Sequence, residues 1–211
     1  MTFTIRPTET TLRHNVTWQE FENILVEKDN RPGRITYDCG TLELMSPSYR
    51  HERYKRFIGR FIDILAEELN LALVGGGSTT FKRQDLARGL EPDECYYIQN
   101  SAAILGKPQI DLSIDPPPDL VVEIDITSSS INRMAIYAVL GVVEIWRYDG
   151  TNLKVYQLAG RDYEVTTKSS IFPALPISEF TQFLTQIEAT DDITLFRLFR
   201  RWVKSLEMEI K

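Results

Sequence analysis

The chain has 211 residues, enough for one domain with extensions and for a full hydrophobic core without disulfide or metal staples. Its 43% hydrophobic and 26% charged content is that of a globular protein, and 24 basic against 30 acidic residues leave a net charge of −6. That balance argues against nucleic-acid binding by the whole surface while leaving room for a local basic groove. No apolar run approaches the roughly 18 residues of a membrane span, and the opening MTFTIRPTETTLRHN lacks an apolar signal core. Two cysteines, Cys39 and Cys95, with two histidines, His14 and His51, make neither a disulfide framework nor a structural zinc site. The expected compartment is the reducing cytoplasm.

Thr17 followed by Glu20 has the form of a capping box opening WQEFENILVEKD, where Trp18, Phe21, Ile24, Leu25 and the Lys28 stem repeat at helical spacing. RITYDCGTLELMS follows as two short alternating runs broken at Cys39-Gly40, the pattern of a β-hairpin. After Ser46-Pro47-Ser48, the stripe Tyr54, Phe57, Ile58, Phe61, Ile62, Leu65 and Leu69 predicts a helix from about Tyr49 to Leu69, with Arg53, Arg56 and Arg60 on another face. LALV and STTFKRQ flank a turn at Gly75-Gly76-Gly77, and ECYYIQN is a third strand-like run. LVVEIDI, bounded by Pro116-Pro117-Pro118 and Thr127-Ser128-Ser129-Ser130, has the continuous apolar character of a central strand buried on both faces. Ser129 or Ser130 can cap the next helix, INRMAIYAVLG, which Gly141 ends. VEIWRYDGTNLKVYQLAGRDYEV predicts a meander with turns at Asp149-Gly150 and Ala159-Gly160. Helical segments near Ser178–Ala189 and Asp191–Glu209 close the chain, the second with Leu195, Leu198, Phe199, Trp202 and Leu206 on one stripe. Mixed strands with flanking helices define an α/β (α+β) domain.

The most informative feature is an ionisable pair inside the central strand. Glu123 and Asp125 share a face, ~7 Å apart by strand geometry. Buried carboxylates are costly unless paired, hydrogen-bonded or bound to a cation. Either a metal ion or arginines from a neighbouring helix account for such a pair. Asp119 lies on the same face but about 13 Å from Glu123, too far to share an ion, and suits the turn at the start of the strand. Asp93 begins a neighbouring strand, and strands ~4.8 Å apart let two carboxylates bracket a divalent ion. An ordinary Pro-Asp turn is the structural alternative.

These residues meet a known pattern. GLEPDECYYIQN, then PPPDLVVEIDITSSSINRMAIYAVLGVVEIWRYDG, resembles the Uma family of endonucleases, a restriction-endonuclease-like branch of the PD-(D/E)XK superfamily. The likeness extends to TWQEFENIL, YDCGTLELMSPSYRHER and FPALPISEF, nearly the whole chain. By that resemblance Pro92-Asp93 takes the place of "PD" and Glu123-Ile124-Asp125 that of "(D/E)XK". It implies a metal, Mg²⁺ or Mn²⁺, held by Asp93, Glu123 and the backbone carbonyl of Ile124. The superfamily has lysine where this chain has Asp125. Asp125 cannot supply that positive charge but could hold a second cation or a metal-bound water. Arg133, near which Uma relatives tend to carry lysine, and Lys82 are candidate replacements. Arginine stays protonated, so it can stabilise charge but not act as a base. His51 and Glu52 open the long helix at a point that faces the active site in the family; a solvated first turn is the plainer reading. Tyr137, one turn beyond Arg133, either points at the site or packs.

Two basic groups, Arg50, Arg53, Lys55, Arg56 and Arg60 on the long helix and Lys82, Arg83 and Arg88 beyond it, either follow a phosphate backbone or form solvated faces. Arg197, Arg200, Arg201 and Lys204 read as a solvated face. The resulting expectation is a single restriction-endonuclease-like domain over 1–211. Its core is a mixed β-sheet flanked by helices at about 41–160, with an added N-terminal hairpin and a helical extension at about 178–211. The expected activity is metal-dependent phosphodiester hydrolysis on nucleic acid, DNA before RNA, with no membrane partner. A nuclease-fold binding module without turnover is the alternative, and a homodimer through the meander and last helix is a further expectation.

Overall fold

A computed structural model describes residues 10–27, 33–126, 129 and 131–209. The expected capping box is formed. The Thr17 hydroxyl accepts the Glu20 N–H at 3.2 Å, and the Glu20 carboxylate accepts the Thr17 N–H at 2.7 Å, starting α1 (Trp18–Val26). The Lys28 stem lies outside the described residues. β1 (Thr10–Arg13), which the sequence reading did not anticipate, pairs with β3 (Thr41–Met45), and β3 pairs with β2 (Arg34–Asp38). Cys39 and Gly40 both have positive φ, 44° and 89°, at the two-residue hairpin turn between β2 and β3. Gly33 just before β2 is obligatory: its φ is 64°, and a Cβ there would lie 1.8 Å from the Met45 carbonyl oxygen.

The long helix is α2 (Tyr49–Glu68), with the Ser48 hydroxyl accepting the His51 N–H. Downstream, the sequence and the structure diverge. The strand pieces around Gly75–Gly77 do not pair with each other. β4 (Val74–Gly75) joins one sheet, while β5 (Phe81–Arg83) joins another beside β6 (Arg88–Leu90), after a single 3-10 turn at Gln84–Leu86. The five-stranded antiparallel sheet runs β1-β3-β2-β6-β5. α1 packs on it, with Phe21 stacked on Tyr37 at 4.8 Å between ring centroids.

The second sheet contains the strand that carries Glu123. β7 (Glu94–Tyr97) pairs antiparallel with β8 (Leu120–Ile124), and short helix α3 (Ser101–Ile104) lies in the connection. β8 runs parallel to β9 (Glu144–Tyr148), the crossover passing through α4 (Arg133–Leu140). The meander β9, β10 (Leu153–Ala159) and β11 (Asp162–Thr166) completes the order β11-β10-β9-β8-β7-β4. All five β8 residues are buried, as its unbroken apolar run requires. Leu120, Val122 and Ile124 face α2, α5 (Ile177–Thr185) and α6 (Asp192–Glu209), where Phe61 stacks on Phe199 at 4.1 Å. Val121 faces α4 with Ile136, Tyr137 and Leu140. Alternation therefore turns Glu123 towards α4 as well. The architecture is mixed α+β, two sheets flanked by helices, as expected.

One capping expectation is corrected. α4 is capped by Asn132, whose side chain accepts the Ala135 N–H, not by Ser129, whose hydroxyl instead contacts Glu43 and Ile131; Ser130 lies outside the described residues. A cap must sit immediately before the first helical residue, and the helix starts at Arg133, two residues later than the serine run suggested.

Candidate active site

Glu94 pairs with Val122 in the β7–β8 register, which sets Asp93 opposite Glu123, one step along. The Ile124 N–H donates to Asp93 Oδ2 at 2.7 Å, fixing this carboxylate to the end of β8. Its other oxygen, Oδ1, lies 2.5 Å from Arg34 Nη1 and 3.0 Å from His51 Nε2. The same Arg34 nitrogen is 3.6 Å from Glu123 Oε2. Glu123 Oε1 accepts from Arg133 Nη2 at 2.6 Å and from Nε at 3.2 Å, and also from the Tyr137 hydroxyl. Arg133 further donates to the Glu91 carbonyl at 2.7 Å and to Thr36. Asp93 and Glu123 thus converge from adjoining strands, and arginines neutralise both. The arginine partners that the sequence left open as one explanation for the buried carboxylates are present, as Arg34 and Arg133.

Electrostatics follow from these contacts. Burial opposes ionisation of Asp93, but His51, the Arg34 charge and the Ile124 N–H outweigh it and hold its carboxyl below the usual range. Burial would lower the Arg133 pKa, but Glu123 and its neighbours more than offset this, and the guanidinium stays charged. Desolvation and the adjacent Glu123 push the Tyr137 phenol far above its ordinary value, so it stays protonated and donates. His51 Nδ1 lies 3.2 Å from Glu52, and Nε2 lies 3.0 Å from both Arg34 Nη2 and Asp93 Oδ1. One ring nitrogen cannot accept from the first and donate to the second at once, so these two neighbours compete for it.

A pocket of about 330 Å³ opens over Glu123, lined by Arg34, Ile124, Asp125, Arg133, Tyr137 and Arg147 among others. Asp93 has no exposed surface and lies behind Arg34. Asp125 is at the rim, ion-paired to Arg147, the residue that stands opposite Glu123 in the β8–β9 register. Asp125 and Arg147 thus form an ion pair of no net charge at the rim.

The structure brings together Asp93, Glu123, Arg133, Tyr137 and His51, with Glu52 one contact removed and Asp125 at the rim. His51 is buried, not the solvated first turn of the plainer reading. Lys82 is not brought in: it pairs with Glu22 at 2.6 Å, lining a different pocket with Trp18 and Asp85. Asp119 is structural, accepting N–H groups of Ile98 at 2.7 Å and Asn100 at 3.0 Å. Arg34, Thr36 and Arg147 were missed. Their strands alternate charged and apolar residues, the signature of a half-solvated strand, yet Arg34 and Thr36 face the site while Ile35 and Tyr37 face α1. The hairpin expected as an addition to the core therefore supplies part of the site.

The basic runs are largely paired. Arg50 meets Glu188, Arg53 and Arg56 meet Asp192, Lys55 meets Glu94, Arg60 meets Asp63 and Glu67, and Arg83 meets Asp85. Arg88 meets Asp38, Arg200 meets Glu67 and Glu68, and Lys204 meets Glu68. They form ion-pair networks more than free phosphate-tracking faces.

Among the described residues, no three His, Cys, Asp or Glu side chains cluster as metal ligands. The available donors are two carboxylates and the Ile124 carbonyl, a hard oxygen set that suits Mg²⁺, which keeps several waters and needs only one or two carboxylates. The cation position between Asp93 and Glu123 is held here by Arg34 Nη1. The donor chemistry fits a divalent ion once that guanidinium withdraws.

Comparison with known proteins gives the class. The profile of the Uma2 family, described as "Putative restriction endonuclease", matches residues 18–189, and the chain belongs to that family. Membership supports nuclease function in general terms. Among solved structures, the chain is similar to "a putative nuclease belonging to DUF820 from Anabaena variabilis ATCC 29413" at 15% identity, over 83% of this chain and 98% of that one, with a TM-score of 0.48. No curated protein matches.

Proposed function

We propose that the pocket over Glu123 is the active site of a DNA endonuclease that hydrolyses phosphodiester bonds with Mg²⁺ or Mn²⁺. The observation that carries this reading is the convergence of Asp93 and Glu123, from adjacent strands, on one cationic nitrogen at the floor of a pocket. Asp93, Glu123 and the Ile124 carbonyl would hold the ion. When bound, it supplies polarisation of the phosphate and a lower pKa for an attacking water. Arg133 and Tyr137 act as positioning groups that aim Glu123, because their donors are spent on its carboxylate. Arg133 has little N–H capacity left to touch a phosphate. Arg147, about one-third exposed at the rim, has the reach and charge for that contact. Asp125 restrains Arg147 in the absence of substrate.

The second reading, a nuclease-fold binding module, is favoured by one observation: arginines pair with both carboxylates, and Asp125 stands where the family resemblance implies a lysine. Plasmid and single-stranded DNA cleavage with Mg²⁺ or Mn²⁺ separates the two. The endonuclease cuts, and both Asp93→Asn and Glu123→Gln lose about 10²-fold or more. Cleavage that survives both substitutions, or no cleavage under either ion with DNA still bound, rejects the enzyme reading.

No helix among the described residues is long and apolar enough to cross a membrane. Free thiols at Cys39 and Cys95 support a reducing, cytoplasmic setting. A second copy would add most simply at β11, one edge of the six-stranded sheet, where Val165 is 64% exposed.

A further inference from the structure

Among the described residues two arginines reach the carboxylates, and they are held differently. Arg133 is fixed by Glu123, Thr36, the Glu91 carbonyl and Tyr137, so moving it breaks a network. Arg34 hydrogen-bonds through Nη2 to His51, while its buried Nε has no hydrogen-bond partner among the described residues. Its inward position rests on charge, against Asp93 at 2.5 Å and Glu123 at 3.6 Å, rather than on a satisfied set of donors. Arg34 lines the pocket and Asp93 lies wholly buried behind it. A cation arriving from the pocket meets Arg34 before Asp93. It could not share the gap with a guanidinium, because like charges in a desolvated site repel strongly.

We propose that Arg34 is a displaceable internal counter-cation. It neutralises Asp93 and Glu123 while no divalent ion is bound, yields its place to the ion by swinging into the pocket, and there contacts a phosphate of the nucleic acid. This rests on the metal-dependent reading above. The consequence is a conformational tax on ion affinity: if the gap is open in one molecule out of ten, the apparent affinity is about tenfold weaker than the intrinsic one. Ion binding and phosphate binding also become linked through one side chain, each favouring the same outward position.

The test uses the full chain and the variants Arg34→Met, which keeps the apolar stem, and Arg34→Lys. Mn²⁺ binding followed by electron paramagnetic resonance is expected to tighten about tenfold in Arg34→Met, while DNA binding in Ca²⁺ weakens several-fold. That opposite pair of signs is not expected of a merely structural arginine. Unchanged or weaker Mn²⁺ binding overturns the counter-cation, and unchanged DNA affinity overturns the phosphate contact. Should Arg34→Met fail to fold, the wild-type chain decides. The Nε–Hε resonance of Arg34, assigned by its loss in Arg34→Lys, is expected to shift and lose exchange protection on adding Mg²⁺; a resonance unmoved at saturating Mg²⁺ overturns the proposal. Equal ion affinity in wild type and Arg34→Met, abolished by Asp93→Asn, sinks this inference alone. Absence of ion binding in both, or binding indifferent to Asp93→Asn, sinks the metal-dependent reading with it.

Discussion

The Glu123–Arg133 pair should be one of the most strongly coupled contacts in the molecule. Both side chains are about nine-tenths buried, with Nη2 and Oε1 2.6 Å apart. Arg133→Met keeps the stem but removes a donor from the Glu123 carboxylate, the Glu91 carbonyl and the Thr36 hydroxyl. Breaking a buried pair from one side costs about 3–5 kcal/mol. Glu123 keeps Tyr137 and, at 3.6 Å, Arg34, so the loss should fall at the lower end, about 3 kcal/mol. Glu123→Gln should cost less, about 2 kcal/mol, because Arg133 retains its other acceptors. If the two groups act as a pair, Arg133→Met combined with Glu123→Gln should cost about 1–2 kcal/mol less than the two singles together. Urea unfolding followed by tryptophan fluorescence, to which buried Trp146 contributes, measures all three. Additivity within about 0.5 kcal/mol would refute the coupling, and with it the assignment of Arg133 as the group that aims Glu123.

Other outcomes follow from the same contacts. Asp119→Ala removes the acceptor for Ile98, Asn100 and the Asn100 side chain and should destabilise by about 3 kcal/mol, while calorimetry on the folded fraction shows ion binding unchanged. Burial and neighbouring Glu94 push the Cys95 thiol up to about 12, so a disulfide reagent at pH 8 should label exposed Cys39 quickly and Cys95 only on unfolding. Asp93, with its carboxyl held below the ordinary range, stabilises the fold fully above the unfolded value near ~3.9 and loses that contribution as pH falls further. Denaturation from pH 6 to pH 2.5 should therefore show a flatter acid limb for Asp93→Asn than for wild type.

What was legible in the sequence was whatever local periodicity or spacing determines. The α2 stripe, the β8 apolar run, the capping box at Thr17 and the turn at Cys39-Gly40 each depend on neighbours a few residues away, and each formed. The Asp93–Glu123 pairing was accessible because an adjacent-strand spacing and a too-distant Asp119 left few choices. Arg34 was hidden for a physical reason. β2 is buried on both faces, α1 covering one and the site the other, so an arginine and a threonine alternating with apolar residues look like a wet face when no tertiary partner is known. The pairing of β5 with β6 rather than with β4 was hidden too, because a glycine-rich turn does not reveal that the chain is leaving one sheet for another.

Diffraction from crystals soaked in Mn²⁺, with data collected to reveal anomalous scattering, bears most directly on whether the two carboxylates form a metal site. The expected map has a peak within about 2.0–2.6 Å of oxygens from Asp93, Glu123 and the Ile124 carbonyl, with the Arg34 guanidinium moved into the pocket. Arg34 still bridging Asp93 and Glu123 at saturating Mn²⁺, with no peak between them, would contradict it.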